Sequence, residues 1–139
     1  MERAFLVIGA VSGLLGVAAG AFGSHALRAK LTPERLVRFE TAARYQLWHA
    51  LALFVVVFVG TLRFPVETGP TEVTVAVEDP AGWPAMLAGS LFVAGTVLFS
   101  GSLYALALSG RRRWGAVAPI GGTCLILGWA FLALAAATA

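Results

Sequence analysis

Four long apolar stretches, parted by short polar or charged ones, organise the chain. The first runs from Phe5 to Leu27 with no charged residue. As a helix it is long enough to cross a hydrocarbon core, which takes about 20 residues. A charged but helically patterned preface, Pro33 to Arg44, leads into the second, which enters near Tyr45 and reaches Leu62. The third extends from Trp83-Pro84 to Leu108, and the fourth opens at Trp114 and continues to the C-terminus. The expected helices cover about 4–27, 33–63, 84–109 and 114–137. Short turns between long apolar helices favour antiparallel neighbours. The pattern therefore predicts an all-α integral membrane protein, an antiparallel four-helix transmembrane bundle, with residues 1–139 as one membrane domain.

Small residues suggest how the helices pack. Gly9, Gly13, Gly16, Gly20 and Gly23 step by four, three, four, three and so share one helix face. In lipid, helices associate through close backbone approach at small residues rather than through hydrophobic drive. This seam predicts that the first helix is the central one, gripped by the others. Gly121 and Gly122 are expected as packing positions on the fourth helix, and Cys124 with Gly128 forms a small-xxx-small pair there. Thr32-Pro33-Glu34 is a helix start signal, with a capping hydroxyl followed by proline at the first helical position. Pro65 ends the second helix, and Pro119, inside the fourth, is expected to kink it. Residues 65–82 form an acidic loop in which Thr71 to Glu78 alternates like a short strand.

Composition agrees with the pattern: 59% hydrophobic and 12% charged, against about 25% charged in soluble domains. The first apolar run exceeds the roughly 7–15 residues of a signal-peptide core and follows a weakly basic Met1-Glu2-Arg3, so it reads as a retained helix. Cys124 is the only cysteine, which excludes an intrachain disulfide. The basic residues form no tail or aromatic-basic alternation suited to nucleic acid. They do set an orientation. Arg28, Lys30, Arg35, Arg38 and Arg44 lie between the first two helices, and Arg111, Arg112 and Arg113 between the last two, whereas the opposite side holds Arg3 and Arg63. The positive-inside rule then predicts cytoplasmic basic turns, both termini outside, and a multi-pass protein of the cell (inner) membrane.

The apolar spans lack Asp, Glu, Lys and Arg, which weighs against an ion-coupled transporter. Their polar side chains gather toward the basic end: His25 at the end of the first helix, Gln46 and His49 early in the second, Thr96, Ser100 and Tyr104 at four-residue steps on the third. The spacing suggests that His25 and His49 lie at similar depth, and the two imidazoles are candidates for haem ligation or for hydrogen bonding to a quinone or lipid. Two histidines with no carboxylate or second cysteine beside them make no metal site. The bland alternative is that both histidines hydrogen-bond across helices as packing groups. No serine has a base arranged for nucleophilic catalysis, and no phosphate loop is present.

Several phrases are familiar: Gly20-Ala-Phe-Gly-Ser-His-Ala-Leu27, Phe39-Glu-Thr-Ala-Ala-Arg-Tyr-Gln-Leu-Trp-His-Ala-Leu-Ala-Leu53, Phe99-Ser-Gly-Ser-Leu-Tyr104, Ala118-Pro-Ile-Gly-Gly122 and Gly128-Trp129. In these the chain resembles the domain of unknown function 423 family of small membrane proteins, which includes the animal transmembrane protein 256. The acidic stretch 65–82 lies outside the resemblance. The resemblance implies four membrane helices and no activity. It marks His25, Tyr45, Gln46, His49, Ser100 and Tyr104 as motif positions, with Gly101, Pro119, Gly121 and Gly122 beside them.

The leading expectation is a non-enzymatic membrane protein, an accessory or assembly partner packed through glycine faces against the lipid bilayer and a membrane partner or second copy, with no cofactor. The competing expectation is an inner-leaflet site for a lipid, quinone or haem built around the two histidines, with Tyr45, Gln46, Ser100 and Tyr104 in support. A transporter or channel subunit is a third.

Overall fold

A computed structural model describes residues 2–61 and 82–138. Four long helices account for most of them: α1 (Glu2–Ala26), α2 (Pro33–Thr61), α3 (Gly82–Ser109) and α4 (Ala118–Thr138). All four spans are long and apolar enough to cross a membrane, with mean hydropathy from 1.5 to 2.2. Nearly all of the expected loop 65–82, including its strand-like alternation, lies outside the described residues; Gly82 itself opens α3.

Local chemistry sets the helix ends. The Arg35 N–H donates to Thr32 Oγ1 at 3.4 Å, so the threonine caps α2 while Pro33 occupies a position that needs no N–H. Helix α3 stops at Gly110, whose φ of +70° suits glycine, and the Gly110 N–H returns to the Leu106 carbonyl. The Arg35 guanidinium crosses from α2 and donates to the Ala107 and Leu108 carbonyls, both at 2.5 Å. It thereby satisfies two of the carbonyls that a helix C-terminus leaves open.

Two sequence expectations change here. The fourth helix does not begin at Trp114: Arg112–Ala116 is a 3₁₀ turn, and α4 starts at Ala118. Pro119 consequently falls in the first turn of α4, where a missing N–H costs nothing, and it has no intrahelical bond to break.

The second change concerns α1. Neighbouring helices pair in chain order, α1 on α2, α2 on α3 and α3 on α4, with a slight contact between α2 and α4. Successive partners run in opposite directions: Gly9 lies against Ala50 and Gly23 against Phe39, while His49 meets Phe92 and Phe39 meets Tyr104. Helix α1 is therefore an edge helix and not the centre. In its most apolar stretch 17% of residues are buried, against 44% in α2. The core lies among α2, α3 and α4, around Val56, Phe92 and Leu125.

The five-glycine seam also narrows. A Cβ on Gly9 would sit 3.1 Å from the Ala50 carbonyl oxygen, one on Gly16 3.5 Å from the Leu47 nitrogen, and one on Gly23 would overlap the Phe39 ring. A Cβ on Gly13 would only graze Ala50 at 3.9 Å, and one on Gly20 would meet nothing within 4 Å. The positions that come nearest to α2 thus step by seven, a heptad spacing, with Gly9 and Gly23 tight and Gly16 in ordinary contact. Tighter packing occurs between α3 and α4, where a Cβ on Gly121 would run into the Phe99 backbone.

Candidate functional site

Because α1 leans on α2 and scarcely on α3, a gap opens between α1 and α3 with α2 as its floor. It is a partly open cavity of about 480 Å³. Val7, Val11 and Leu15 of α1 form one wall, and Val93, Val97 and Gly101 of α3 the other. Polar residues line it too: Ser12 from α1, Gln46 and His49 from α2, and Thr96, Ser100 and Tyr104 from α3. None of the lining side chains is charged.

Gln46 ties three helices together. Tyr104 Oη donates to Gln46 Oε1 at 2.9 Å, and Gln46 Nε2 donates to the Ser12 carbonyl at 3.0 Å. A carbonyl can only accept, so the amide must present nitrogen to Ser12, and Tyr104 must therefore be the donor. The Ser12 carbonyl is reachable because the residue four positions on, whose side chain would lie over it, is Gly16. The glycine seam thus exposes a backbone acceptor as well as allowing close approach. The Tyr104 ring is held edge-on against Phe39, with centroids 4.8 Å apart.

His49 is 5% exposed and packs within an aromatic cage. Its ring lies 5.4 Å from Phe92, 6.2 Å from Trp129 and 6.0 Å from Tyr45. Trp129 Nε1 lies 3.3 Å from His49 Nε2, and His49 Nδ1 lies 2.8 Å from the Tyr45 carbonyl. Indole N–H is only a donor, so Nε2 accepts; Nδ1 must then carry the proton and donate to the carbonyl. Both ring nitrogens are committed within the protein, and the imidazole is neutral. In this arrangement Nε2 has no lone pair left for a metal or haem iron.

The sequence-predicted residues therefore divide. Gln46, His49, Ser100 and Tyr104 come together at the cavity. Tyr45 contributes its carbonyl to His49, while its ring packs against Phe99 and Trp48 at 4.7 and 5.3 Å, away from the cavity lining. His25 stands apart. It is exposed at the end of α1, beyond Gly23, which faces Phe39. Phe39 precedes His49 by ten residues, or roughly 15 Å along α2. The expected similarity in depth fails because the antiparallel register puts the end of α1 beside the start of α2. Among the glycines, Gly121 is in close contact with α3, and Gly122 is in ordinary contact with the Phe99 ring.

Two participants escaped sequence reasoning. Trp129 was visible only as part of a family phrase, since nothing local says which residue an indole N–H will reach. The Ser12 carbonyl is a backbone atom, and its signal was the glycine four residues later.

Comparison with known proteins places the chain. Residues 19–122 match the family model described as protein of unknown function (DUF423). That interval runs across residues 65–82. The chain is 38% identical over 134 residues to the UPF0382 membrane protein YwdK of Bacillus subtilis, covering 96% of each chain. It is 38% identical over 133 residues to a UPF0382 membrane protein of Staphylococcus epidermidis, covering 96% of this chain and 94% of the relative. It is 36% identical over 135 residues to the UPF0382 inner membrane protein YgdD of Escherichia coli, covering 97% of this chain and 90% of the relative. No solved structure matches significantly. Four membrane-length helices, the conjunction of motif phrases and likeness along nearly the whole chain lead to one conclusion: this multi-pass membrane protein belongs to the DUF423 family.

Proposed function

We propose that the protein is a non-enzymatic accessory protein of the cell membrane that takes a lipid-soluble molecule from the bilayer into the groove between α1 and α3. The observation that carries this reading is the groove itself: about 480 Å³, with apolar walls from two helices and uncharged polar groups along it. Cavities of this size and lining suit small apolar ligands fixed by a few polar contacts. The groove differs from the two-histidine site expected from sequence, since His49 is saturated and His25 lies elsewhere. The excess of basic residues in the two short turns supports a topology with those turns cytoplasmic and both termini outside.

Native mass spectrometry of the full chain released from membranes tests the binding reading. Val97, 66% exposed, lines the groove, and Val97→Trp would fill it with little change to the core. The expected result is a co-purifying apolar species on the wild type that is lost from the variant. An identical bound mass on both would refute a ligand groove at this position.

A further inference from the structure

One atom in the groove lacks what its surroundings should supply. Ser100 is 2% exposed, and its Oγ has no hydrogen-bond partner among the described residues. Hydroxyls inside helices commonly bond back to a carbonyl three or four residues earlier. On the same helix Ser90, Ser102 and Ser109 do so, bonding to the carbonyls of Met86, Phe99 and Ala105. Ser100 does not, although it lines the cavity. An unpaired buried hydroxyl is uncommon in folded proteins and calls for an explanation.

The remaining polar atoms narrow what the partner can be. His49 has no capacity left, and the Tyr104 proton is already given to Gln46. Gln46 uses one amide hydrogen on Ser12 and keeps a second. The hydroxyls of Ser12 and Thr96 line the groove as well, and a hydroxyl can donate or accept, whereas the second Gln46 hydrogen can only donate. An acceptor on the ligand therefore serves the largest number of these groups, with the Ser100 O–H the most buried of them. A phosphate or ionised carboxylate would enter without a compensating cation, because no charged side chain lines the cavity, and an unpaired charge within a membrane span is costly. What remains is a neutral oxygen acceptor on an apolar body.

Resting on the groove reading above, we infer that the ligand is a neutral, carbonyl-bearing lipid whose carbonyl oxygen accepts the Ser100 hydroxyl proton once that side chain rotates toward the groove, a turn that breaks no existing hydrogen bond, while its apolar part lies between Val11 and Val97. The membrane holds two sources of that chemistry, the ring carbonyl of a quinone and the ester carbonyl of a diacylglycerol.

Titrating the detergent-solubilised full chain with decylubiquinone, dioleoylglycerol, dioleoylphosphatidic acid or hexadecane, followed by native mass spectrometry, separates the possibilities. Saturable binding of decylubiquinone or dioleoylglycerol is expected, and the tighter of the two names the source. Ser100→Ala should weaken that binding about fivefold, the share of one hydrogen bond, and leave hexadecane unchanged. Gly101→Leu should abolish it. A Cβ at Gly101 meets nothing within 4 Å, so the leucine enters the groove without displacing a neighbour. Circular dichroism and thermal midpoints matched to wild type establish that both variants are folded. Should hexadecane or the phosphatidic acid bind as well as the carbonyl ligands, or Ser100→Ala bind like wild type, the carbonyl assignment is overturned while the groove stands. Should Gly101→Leu and Val97→Trp both bind every probe like wild type, the groove reading itself is overturned.

Discussion

His49 is held at both ring nitrogens and on three sides by aromatic rings, so it acts as a rivet between α2, α3 and α4. Removing it leaves a cavity and an unpaired indole. His49→Ala is expected to cost about 2–4 kcal/mol, while Trp129→Phe, which keeps one aromatic ring but loses the rest of the indole and orphans Nε2, should cost about 1–2 kcal/mol. Equilibrium unfolding in detergent reads both, and equal costs would show that the Trp129 hydrogen bond, not the imidazole packing, dominates. Two further hydroxyls should respond with opposite signs. Tyr104→Phe deprives Gln46 of its donor and should destabilise by about 1 kcal/mol. Ser100→Ala removes an unpaired buried oxygen and should stabilise the ligand-free protein by a similar amount. The same denaturation experiment checks the pair, and a destabilised Ser100→Ala would mean that the hydroxyl is satisfied. The residue types of this cluster were readable along the chain. Their pairing was not, because a histidine looks the same in sequence whether its partner is a metal, a ligand or an indole 80 residues away.

At the scale of the helices, glycine spacing proved informative about where backbones approach and misleading about which helix is central. All five glycines of α1 share a broad face, yet those stepping by seven come nearest to α2, Gly9 and Gly23 most tightly, because one neighbouring helix covers a narrow strip. The same logic ranks substitutions. At Gly121 a Cβ would strike the Phe99 backbone, which cannot rotate away. Gly121→Ala is therefore expected to cost about 1–3 kcal/mol. Gly20→Ala and Gly122→Ala, with open space or ordinary contact at the new methyl, should fall within about 0.5 kcal/mol of neutral or gain slightly from helix propensity. Thermal unfolding of the three variants side by side tests the ranking, and it fails if Gly20→Ala proves as harmful as Gly121→Ala. Gly16→Leu has a second consequence: it would cover the Ser12 carbonyl and release Gln46, loosening α1 from the bundle.

For the whole molecule, the pairing of helices in chain order makes α1 an edge and leaves the groove beside it. The Arg35 guanidinium, bonded to the end of α3, links the two basic turns, so those turns lie on one side of the bundle. Replacing Arg28, Lys30, Arg38 and Arg44 while keeping Arg35 for its structural bonds should invert or scramble the topology. Reporter fusions at each terminus measure this, and reporters that stay on the same side would count against a charge-set orientation.

From the residues alone followed four apolar helices, their antiparallel order, the start of α2 and the family, because length, hydropathy and short connections leave a chain in lipid few alternatives. The polar cluster was also legible, as an uneven distribution of Gln, His, Ser and Tyr among apolar neighbours. Tertiary structure alone decided that α1 is peripheral, that His25 is excluded, that Trp129 and the Ser12 carbonyl are included, and that a cavity lies beside Ser100. Those features depend on helix register and on which faces meet. In a bilayer every helix face is apolar, so sequence hydrophobicity does not distinguish a face that meets protein from one that meets lipid.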